Sequence, residues 1–392
     1  MRPLQGITVV TLEHAIAAPF CTRQLADLGA RVVKVERPGV GDFARGYDER
    51  VHGLASHFVW TNRSKESLTL DVKHPEAAKI LQALVARADV LVQNLAPGAA
   101  ARLGLSHEAL SAANPRLIVC DISGYGADGP YRDKKAYDLL IQSESGFLSI
   151  TGSPDAPAKA GCSIADIAAG MYAYTNILAA LIERGKTGKG CAIDVSMLES
   201  MVEWMSYPLY YAFDGAEPPP RAGAAHATIY PYGPFPAGDG KIVMLGLQNE
   251  REWVAFCDQV LGQPALAADE RFSSNSRRTA ARNELRAIII AAFKPLTAAQ
   301  VIERLDAAQI ANARMNDMKE VWAHPQLAAR KRWVEVDTPA GRVPAPLPPG
   351  VPPSPSPRMD PVPALGQHTA AILRELGYSD ADIARLRTEK VL

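Results

Sequence analysis

The 392-residue sequence has no excess of charge of either sign, because 42 lysines and arginines balance 42 aspartates and glutamates. Proteins that bind nucleic acids or membrane surfaces through electrostatics carry net or clustered basic charge. Neither is therefore expected as a partner. Any polyanionic ligand would have to be bound by a few individually placed basic side chains.

Signals for export, membrane insertion and metal binding are also missing. The five cysteines form no C-x-x-C pair and their number is odd, which predicts free thiols in a reducing compartment. The eight histidines are scattered, so no metal site is expected. The N-terminus lacks a signal-peptide pattern, and no run reaches the roughly 18 apolar residues of a membrane span. These absences predict a cytoplasmic protein.

Four common enzyme motifs are absent as well. The first predicted strand is followed by HAIAAPF and not by G-x-G-x-x-G, so the dinucleotide fingerprint is missing. GKTGKG contains lysines without the spacing of a P-loop. Neither G-x-S-x-G nor H-E-x-x-H occurs, which disfavours a serine hydrolase or a zinc protease.

The first 125 residues nevertheless alternate between strand and helix patterns. Helices are predicted at Pro19–Leu28, which ends at Gly29, and from Pro75 to about Arg87. This alternation predicts βαβ units, a mostly parallel sheet and an α/β fold. Strands are predicted at Ile7–Thr11, Arg31–Val35, Leu68–Val72, Asp89–Val92 and Leu117–Ile122.

The rest of the chain divides into a helical stretch, a smaller unit and a tail. Residues 339–363 are rich in proline and are expected to form an extended connector without a core of its own. The tail is predicted to form two short helices joined near Gly377. Further predictions are a helix over 164–184, a strand at Ala192–Val195, a buried helix at Met197–Tyr211, a linker at Glu217–Gly223, a strand at Lys241–Leu245, and helices at Glu250–Val260, near 279–293 and at 298–307.

Two residues stand out chemically, although each also has a structural explanation. Arg37 follows a predicted buried strand, at the sheet edge where α/β proteins bind ligands, but a surface arginine can occupy the same position. Asp166 lies near the start of the predicted helix over 164–184 among isoleucine, alanine and glycine. It suits either a helix cap or a covalent nucleophile with room for a ligand.

Nine segments in the same order make the sequence resemble the class III CoA-transferase family, which contains formyl-CoA transferase and carnitine CoA-transferase. They include ADLGARVVKVERPGVGD, TNRSKESLTLDVKHPEA, ADVLVQNLAPGAAARLGL, NPRLIVCDISGYGADGP and SIADIAAGMYA. The resemblance implies a Rossmann-like large domain with an inserted smaller α+β domain, and an interlocked, ring-like homodimer. The expected boundaries are a large domain at 1–215, a linker at 216–224, a small domain at 225–310, a return connector at 311–363, and the completion of the large domain at 364–392.

The resemblance also implies the site residues. The catalytic aspartate of the family corresponds to Asp166. Acyl-CoA and small carboxylates are the implied substrates, CoA is a substrate and no cofactor is expected to be tightly bound. The CoA contacts correspond to Ile16, Ala17, Arg37, Leu70, Asp71, Val72, Lys73, Asn94, Leu95, Ala96, Arg102, Lys135, Ala136, Tyr137 and Asp138.

The sequence departs from formyl-CoA transferase at Ile16, where that enzyme has glutamine. The segments YPYG and QNEREW resemble the branch that transfers CoA from succinyl-CoA to itaconate, mesaconate, malate or citramalate. We therefore expect a C4–C5 dicarboxylate as acceptor. His226, Tyr230 and Gln248 are candidate contacts for its second carboxylate, while Asn249 and Glu252 have the pattern of a helix cap.

Three alternatives remain open at this stage. CoA could move between the two carboxyl groups of one acid. An acyl-CoA racemase needs a base on each face of the substrate carbon, and racemase relatives have a histidine where this chain has Tyr137, a weaker base. A non-catalytic CoA-binding protein could keep Arg37 and Lys73 without needing Asp166.

Overall fold

The computed structural model describes residues 1–350 and 354–392, so residues 351–353 of the predicted Pro-rich connector lie outside the described part. The chain forms two compact units. Unit 1 comprises Met1–Ser145, Ala160–Met205 and Leu327–Leu392, and unit 2 comprises Gly146–Lys159 and Ser206–Gln326. Unit 2 therefore begins and ends at other positions than the small domain expected at 225–310. It also includes Gly146–Lys159, from the range expected for the large domain.

A six-stranded parallel sheet forms the centre of unit 1, with the strand order β3-β2-β1-β4-β5-β6. This is the order of dinucleotide-binding α/β folds, and it occurs here without their glycine fingerprint. The central strands are almost wholly buried, as β-branched strands covered on both faces are. The strands are β1 (Thr8–Leu12), β2 (Arg31–Glu36), β3 (Lys65–Thr69), β4 (Val90–Gln93), β5 (Ile118–Ser123) and β6 (Ala192–Ser196).

The third strand starts three residues earlier than the sequence predicts, at Lys65 and not at Leu68. The prediction was wrong because it excluded the charged Lys65 from a buried strand, whereas the Lys65 ammonium is buried against the Glu13 carboxylate at 2.6 Å. Residues 70–73 consequently follow the strand and lie at the edge of the sheet.

Helices of unit 1 begin and end at recognisable signals. The helix Pro75–Val85 starts with proline at its first turn, and the His74 side chain accepts a hydrogen bond from the Glu76 N–H. The helices used below are α1 (Ala17–Asp27), α2 (Pro75–Val85), α3 (Asp138–Glu144), α4 (Ile164–Thr187) and α5 (Met197–Trp204). Shorter helices lie at Phe43–Gly46, Ser56–Asn62, Ala99–Arg102 and His107–Ser111.

The C-terminal tail packs on the first half of unit 1, as the resemblance implies. Side chains of its two helices, including Ile372, Leu373 and Leu386, share a hydrophobic core with Val33 and Leu68 of the sheet. The helices span Thr369–Glu375 and Asp380–Thr388. The two helices that the sequence predicts around Gly377 are therefore confirmed.

The proline-rich segment differs from its prediction. Its first part pairs as the strand Gly341–Pro346 with Trp333–Thr338 in an antiparallel hairpin. Val343 and Val362 are buried, and Val362 belongs to a small core with Phe58. The expectation of a segment without a core was wrong, because Val362 enters this core and Val343 is also buried, while Pro344 and Pro346 lie at exposed positions of a two-stranded edge, which tolerates proline.

Unit 2 has its own core around Trp253, Phe256 and Phe293. A three-stranded antiparallel sheet has the strand order β9-β8-β7. Its strands are β7 (Tyr232–Pro236), which the sequence analysis missed, β8 (Ile242–Gly246) and β9 (Ala311–Arg314). The main helices are α6 (Glu250–Ala255), α7 (Arg282–Phe293) and α8 (Ala298–Ala307); shorter ones lie at Phe147–Ile150, Ser206–Tyr211, Phe213–Gly215, Phe256–Val260, Pro264–Ala268, Glu270–Phe272, Asn275–Ala280, Met318–Trp322 and, at the border with unit 1, Pro325–Ala329.

Two helical expectations need correction. The predicted buried helix Met197–Tyr211 is two helices, and no residue of its second part, Ser206–Tyr211, is buried. The expectation that no segment reaches the length of a membrane span was too strict. α4 meets that criterion by length and composition alone, as the core helices of soluble proteins also do.

Candidate active site

Asp166 lies in the first turn of α4, and a carboxylate from another helix caps that turn. The Asp138 Oδ1 atom accepts hydrogen bonds from the backbone N–H groups of Ala165 at 2.8 Å and Asp166 at 3.4 Å. The second oxygen of Asp138 accepts from Gln142 at 2.7 Å. Since the Ser163 side chain makes no capping bond, Asp138 satisfies the free N–H groups of this helix end.

The Asp166 carboxyl is partly buried, and its pKa is far from the ordinary value of an aspartate. Burial raises its pKa, the negative charge of Asp138 raises it further, and the hydrogen bond from the Ala17 N–H lowers it, which leaves the pKa at about 7. No cation is among the groups that shift it. A carboxylate without a counter-ion and with a raised pKa is typical of functional sites.

Gly170 explains how Ala17 comes so close to Asp166. It lies one turn after Asp166 on α4, and a Cβ atom at this position would be 2.6 Å from the Ala17 carbonyl oxygen and 3.0 Å from the Phe20 ring. Residues four apart on a helix share a face. The glycine therefore lets α1 approach the face of α4 that carries Asp166.

A buried network of charged side chains fixes the loop between β1 and α1. Ala15 has a positive φ of 61°, and its N–H donates to Asp42 at 2.9 Å. Asp42 pairs with the Lys34 ammonium at 2.5 Å, and Lys34 lies 3.4 Å from Glu13. Glu13 completes the network with Lys65. Burial raises the Glu13 pKa, but the charges of Lys65 and Lys34 and the hydrogen bonds outweigh this and bring it to about 2.

This network has equal numbers of buried carboxylates and ammonium groups, so its charges compensate each other. Asn94 adds a second anchor to the loop, since its side chain accepts from the His14 N–H at 2.8 Å and donates to the His14 carbonyl at 2.9 Å. The strained backbone at Ala15 is thus fixed on both sides. Its rigidity sets the position of the Ala17 N–H that reaches Asp166.

The predicted CoA contacts lie after the C-terminal ends of four adjacent strands. Ile16 and Ala17 follow β1, Arg37 follows β2, residues 70–73 follow β3 and residues 94–96 follow β4. Because the strands are parallel, these segments share one edge of the sheet, where α/β proteins bind ligands. Arg102 ends the short helix Ala99–Arg102 beyond β4.

The exposed side chain of Arg37 is held by a neighbouring ring and a backbone carbonyl, and its role in CoA binding stays a prediction. Its guanidinium lies 4.6 Å from the centre of the Phe43 ring and donates to the Gly41 carbonyl at 3.1 Å. Both side chains are exposed. Leu70, in contrast, is only 1% exposed and its side chain belongs to the core, so the side chain of Leu70 is not available to a ligand.

Residues 135–138 lead from the sheet edge to α3. Tyr137 is 71% exposed, directly before Asp138. The sequence analysis missed Tyr47, whose pKa is raised by burial and then by the nearby negative charges of Asp42 and Asp166 and by Tyr137. The negative charge of Asp166 therefore acts on the Tyr47 hydroxyl. No spacing in the sequence indicated this proximity, since Tyr47 follows a short helical turn far from α4 in the chain.

Residues 4–369 match the model of CoA-transferase family III. The chain belongs to this family and is a CoA-transferase. Among its relatives, human succinyl-CoA:glutarate CoA-transferase is 35% identical over all of this chain and 90% of its own length. Succinyl-CoA–D-citramalate CoA-transferase of Chloroflexus aurantiacus is 32% identical over all of this chain and 98% of its own length.

A solved structure of a CaiB/BaiF family protein from Brucella suis is similar to this CoA-transferase, with a TM-score of 0.84 and 35% identity over 96% of this chain and 99% of that one. The likeness agrees with the α/β fold and its parallel central sheet. Among the described residues, no group of three or more His, Cys, Asp or Glu side chains could hold a metal ion.

The three predicted substrate residues of this CoA-transferase all lie in unit 2. His226 accepts hydrogen bonds at Nδ1 from the Thr228 and Ile229 N–H groups, at 3.2 and 3.0 Å, so the Nε2 atom carries the proton. Its ring stacks on Tyr232 at 5.3 Å. The predicted roles of His226, Tyr230 and Gln248 as substrate contacts stay predictions.

The other two predicted residues have different surroundings. Tyr230 is 5% exposed, and its buried hydroxyl has no hydrogen-bond partner among the described residues. Gln248 is exposed and precedes the cap of α6, where Asn249 Oδ1 accepts from the Glu252 N–H at 3.0 Å. The predicted capping roles of Asn249 and Glu252 are therefore confirmed.

Proposed function

We propose that this CoA-transferase moves CoA from succinyl-CoA to a C4–C5 dicarboxylate through covalent intermediates on Asp166. The observation that carries the proposal is the Asp166 carboxyl, partly buried at the start of α4, in contact with the Ala17 N–H and without an ion pair among the described residues. A carboxylate that is not neutralised by a salt bridge keeps its nucleophilicity, and burial protects reactive acyl groups from water.

The reaction needs four acyl transfers and no redox step. An oxygen of Asp166 attacks the donor thioester carbon; the C–S bond breaks, giving an aspartyl–acyl anhydride and CoA thiolate. The thiolate attacks the Asp166 carbonyl carbon, releasing the donor acid and forming an aspartyl–CoA thioester. The acceptor carboxylate then attacks this thioester and expels the thiolate. Finally the thiolate attacks the acceptor acyl carbon and frees the Asp166 carboxylate.

Each transfer passes through a tetrahedral oxyanion. In the second and third transfers it forms on the aspartyl carbon, and one donor is placed to stabilise it there. The N–H groups of Ala165 and Asp166 are bonded to Asp138, so they are engaged already. The Ala17 N–H reaches the Asp166 carboxyl itself. We assign to it the stabilisation of the oxyanion on the aspartyl carbon, an interaction that typically contributes about 3 kcal/mol.

The assignment of the substrates rests on the relatives and on the charge of the site. The names of the two relatives above contain succinyl-CoA with glutarate or D-citramalate. Both acceptors are five-carbon dicarboxylic acids, so glutarate joins itaconate, mesaconate, malate and citramalate as a candidate. Arg37 and the strand ends at 70–73 and 94–96 are proposed to bind CoA, in a protein without net charge.

We also propose that the enzyme is a homodimer. Unit 1 exposes Ile182 of α4 together with Val202 and Trp204 of α5. Unit 2 exposes Leu209 and Phe213, among other large apolar side chains. Exposed apolar surface of this extent is typical of interaction sites. Light scattering on the purified protein tests the proposal, and a monomer at micromolar concentration would refute it.

The substrate proposal is tested with a panel of acids. Purified enzyme is incubated with succinyl-CoA and one acid at a time, and the new CoA esters are identified by mass spectrometry. We expect esters of glutarate or the branched and hydroxylated C4–C5 diacids and little ester of butyrate, and no product with Asp166→Ala. Succinyl-CoA labelled in one carboxyl distinguishes transfer between acids from transfer within one acid. A preference for butyrate would refute the dicarboxylate assignment.

A further inference from the structure

A cavity of about 240 Å³ lies within unit 2, and its polar lining is basic. Two arginines of α7, Arg282 and Arg286, line it together with Asn283 and the buried Tyr230, while Ala224 and Pro234 form apolar parts of the wall. The volume is below the roughly 300 Å³ at which pockets for larger ligands begin. The cavity therefore suits a small molecule.

The two guanidinium groups are held in place without carboxylate partners. Arg282 donates to the Ala227 carbonyl at 2.8 Å and lies 5.6 Å from the centre of the Tyr230 ring. Arg286 donates to the Pro234 carbonyl at 2.8 Å and lies 5.3 Å from the Phe235 ring. These bonds use only part of the five N–H donors of each guanidinium.

Neighbouring arginines behave differently. Arg271 pairs with Asp269 and Glu284, and Arg278 pairs with Glu250 at 2.7 Å. The ion pairs of the described residues include neither Arg282 nor Arg286. These two are one turn apart on α7, where like charges repel each other. An anion in the cavity would neutralise both.

The Tyr230 hydroxyl is the second, independent indication of a ligand. The residue is 5% exposed, and the hydroxyl finds no hydrogen-bond partner among the residues that the structure describes. The Arg286 guanidinium lies close enough to lower the Tyr230 pKa, which burial raises, although no bond between the two side chains meets the geometry of a hydrogen bond. Buried hydroxyl groups are normally bonded, and a ligand oxygen in the cavity would supply the missing partner.

We infer that this cavity of unit 2 is a binding site for a small dicarboxylate, held by Arg282, Arg286 and the Tyr230 hydroxyl. Two cations match the two charges of such an acid, and guanidinium groups bind carboxylates through paired N–H donors. The choice of a dicarboxylate rests on the proposed function. Inorganic phosphate has related chemistry, and the experiment separates the two sources.

The test is equilibrium binding to the full-length Asp166→Ala variant, which cannot turn over. Glutarate, D-citramalate and inorganic phosphate are titrated separately by calorimetry. We expect saturable binding of at least one diacid, weakened about tenfold by Arg286→Gln and about fivefold by Tyr230→Phe, as expected for the loss of a charge-assisted and of a neutral hydrogen bond. Arg286→Lys should give an intermediate affinity.

Arg277→Gln is the matched control, because this exposed arginine of the same unit donates to the Glu270 carbonyl and does not line the cavity. It should leave binding unchanged. Binding of phosphate without any diacid, or diacid binding that survives both Arg286→Gln and Tyr230→Phe, would overturn the inference. Because the measurement needs no turnover, a failure of the proposed transfer reaction would leave its result intact, and the converse also holds.

Discussion

Replacing Asp166 by asparagine should stabilise unit 1 in a manner that depends strongly on pH. The carboxyl has a pKa of about 7 in the folded chain and an ordinary value of 3.8. Below pH 3.8 it is protonated in both the folded and the unfolded chain, so it costs no stability. Between these two values the unfolded chain releases the proton while the folded chain keeps it, and unfolding is increasingly favoured as the pH rises.

Above pH 7 this cost becomes constant. The difference between the two pKa values corresponds to about 4 kcal/mol of lost folding free energy. Asparagine never ionises, and its amide oxygen still accepts from the Ala17 N–H. We therefore expect the stability advantage of Asp166→Asn to grow by about 4 kcal/mol between pH 4 and pH 8.5, which is a rise in Tm of roughly 8 °C for a unit of this size.

Differential scanning calorimetry at several pH values measures this advantage directly. Asp128→Asn is the control, because Asp128 is an exposed carboxylate of the same unit. Its effect on Tm should not change systematically over this range. A stability difference between wild type and Asp166→Asn that is the same at pH 4 and pH 8.5 would refute the reasoning, because it would show that the folded carboxyl ionises normally.

Three further substitutions test the surroundings of Asp166 and the predicted CoA site. Asp138→Asn removes a negative charge that raises the Asp166 pKa and keeps the oxygen that caps α4. The pH dependence of the reaction of hydroxylamine with the donor-treated enzyme should therefore move to lower pH. An unchanged pH profile would exclude an effect of the Asp138 charge on Asp166. Gly170→Ala should lower Tm and kcat because the new Cβ atom would meet the Ala17 carbonyl oxygen. Its control is Gly185→Ala, in open space on the same helix, which should stabilise the protein by up to about 1 kcal/mol. Equal effects of the two substitutions would argue against a close approach of α1 at Gly170. Arg37→Ala should raise KM for acyl-CoA about tenfold through the loss of charge-assisted hydrogen bonds and should change kcat less. Steady-state kinetics measures both constants, and an unchanged KM would contradict the prediction.

Local patterns in the sequence were sufficient for most strands of the unit 1 sheet and for the position of Asp166 at a helix start. The β-branched runs at residues 31–35 and 117–122 predict buried parallel strands, and SIADIAAG predicts the beginning of α4. The role of Gly170 within that motif is not visible in the sequence. It depends on the approach of α1, which only packing decides.

The buried charge network at the Ala15 loop could not be predicted, because it also depends on how separate strands pack. It joins Glu13, Lys34 and Lys65, which lie in or next to three different strands, and nothing in their spacing shows that they meet. The predicted third strand began at Leu68 and therefore left Lys65 outside the sheet. Tyr47 and the pair Arg282 and Arg286 were missed because their surroundings come from segments distant in the chain.

The covalent role of Asp166 is the central claim, and one measurement tests it most directly. Wild-type enzyme is incubated with succinyl-CoA alone, treated with hydroxylamine and digested with trypsin; cleavage after Lys159 and Arg184 releases Asp166 in the peptide 160–184, in which Glu183 is the other carboxylate. We predict a hydroxamate at Asp166 that requires the donor and is absent when CoA replaces it. Donor-dependent modification at another residue, or an unmodified peptide from enzyme that is turning over, would contradict the account.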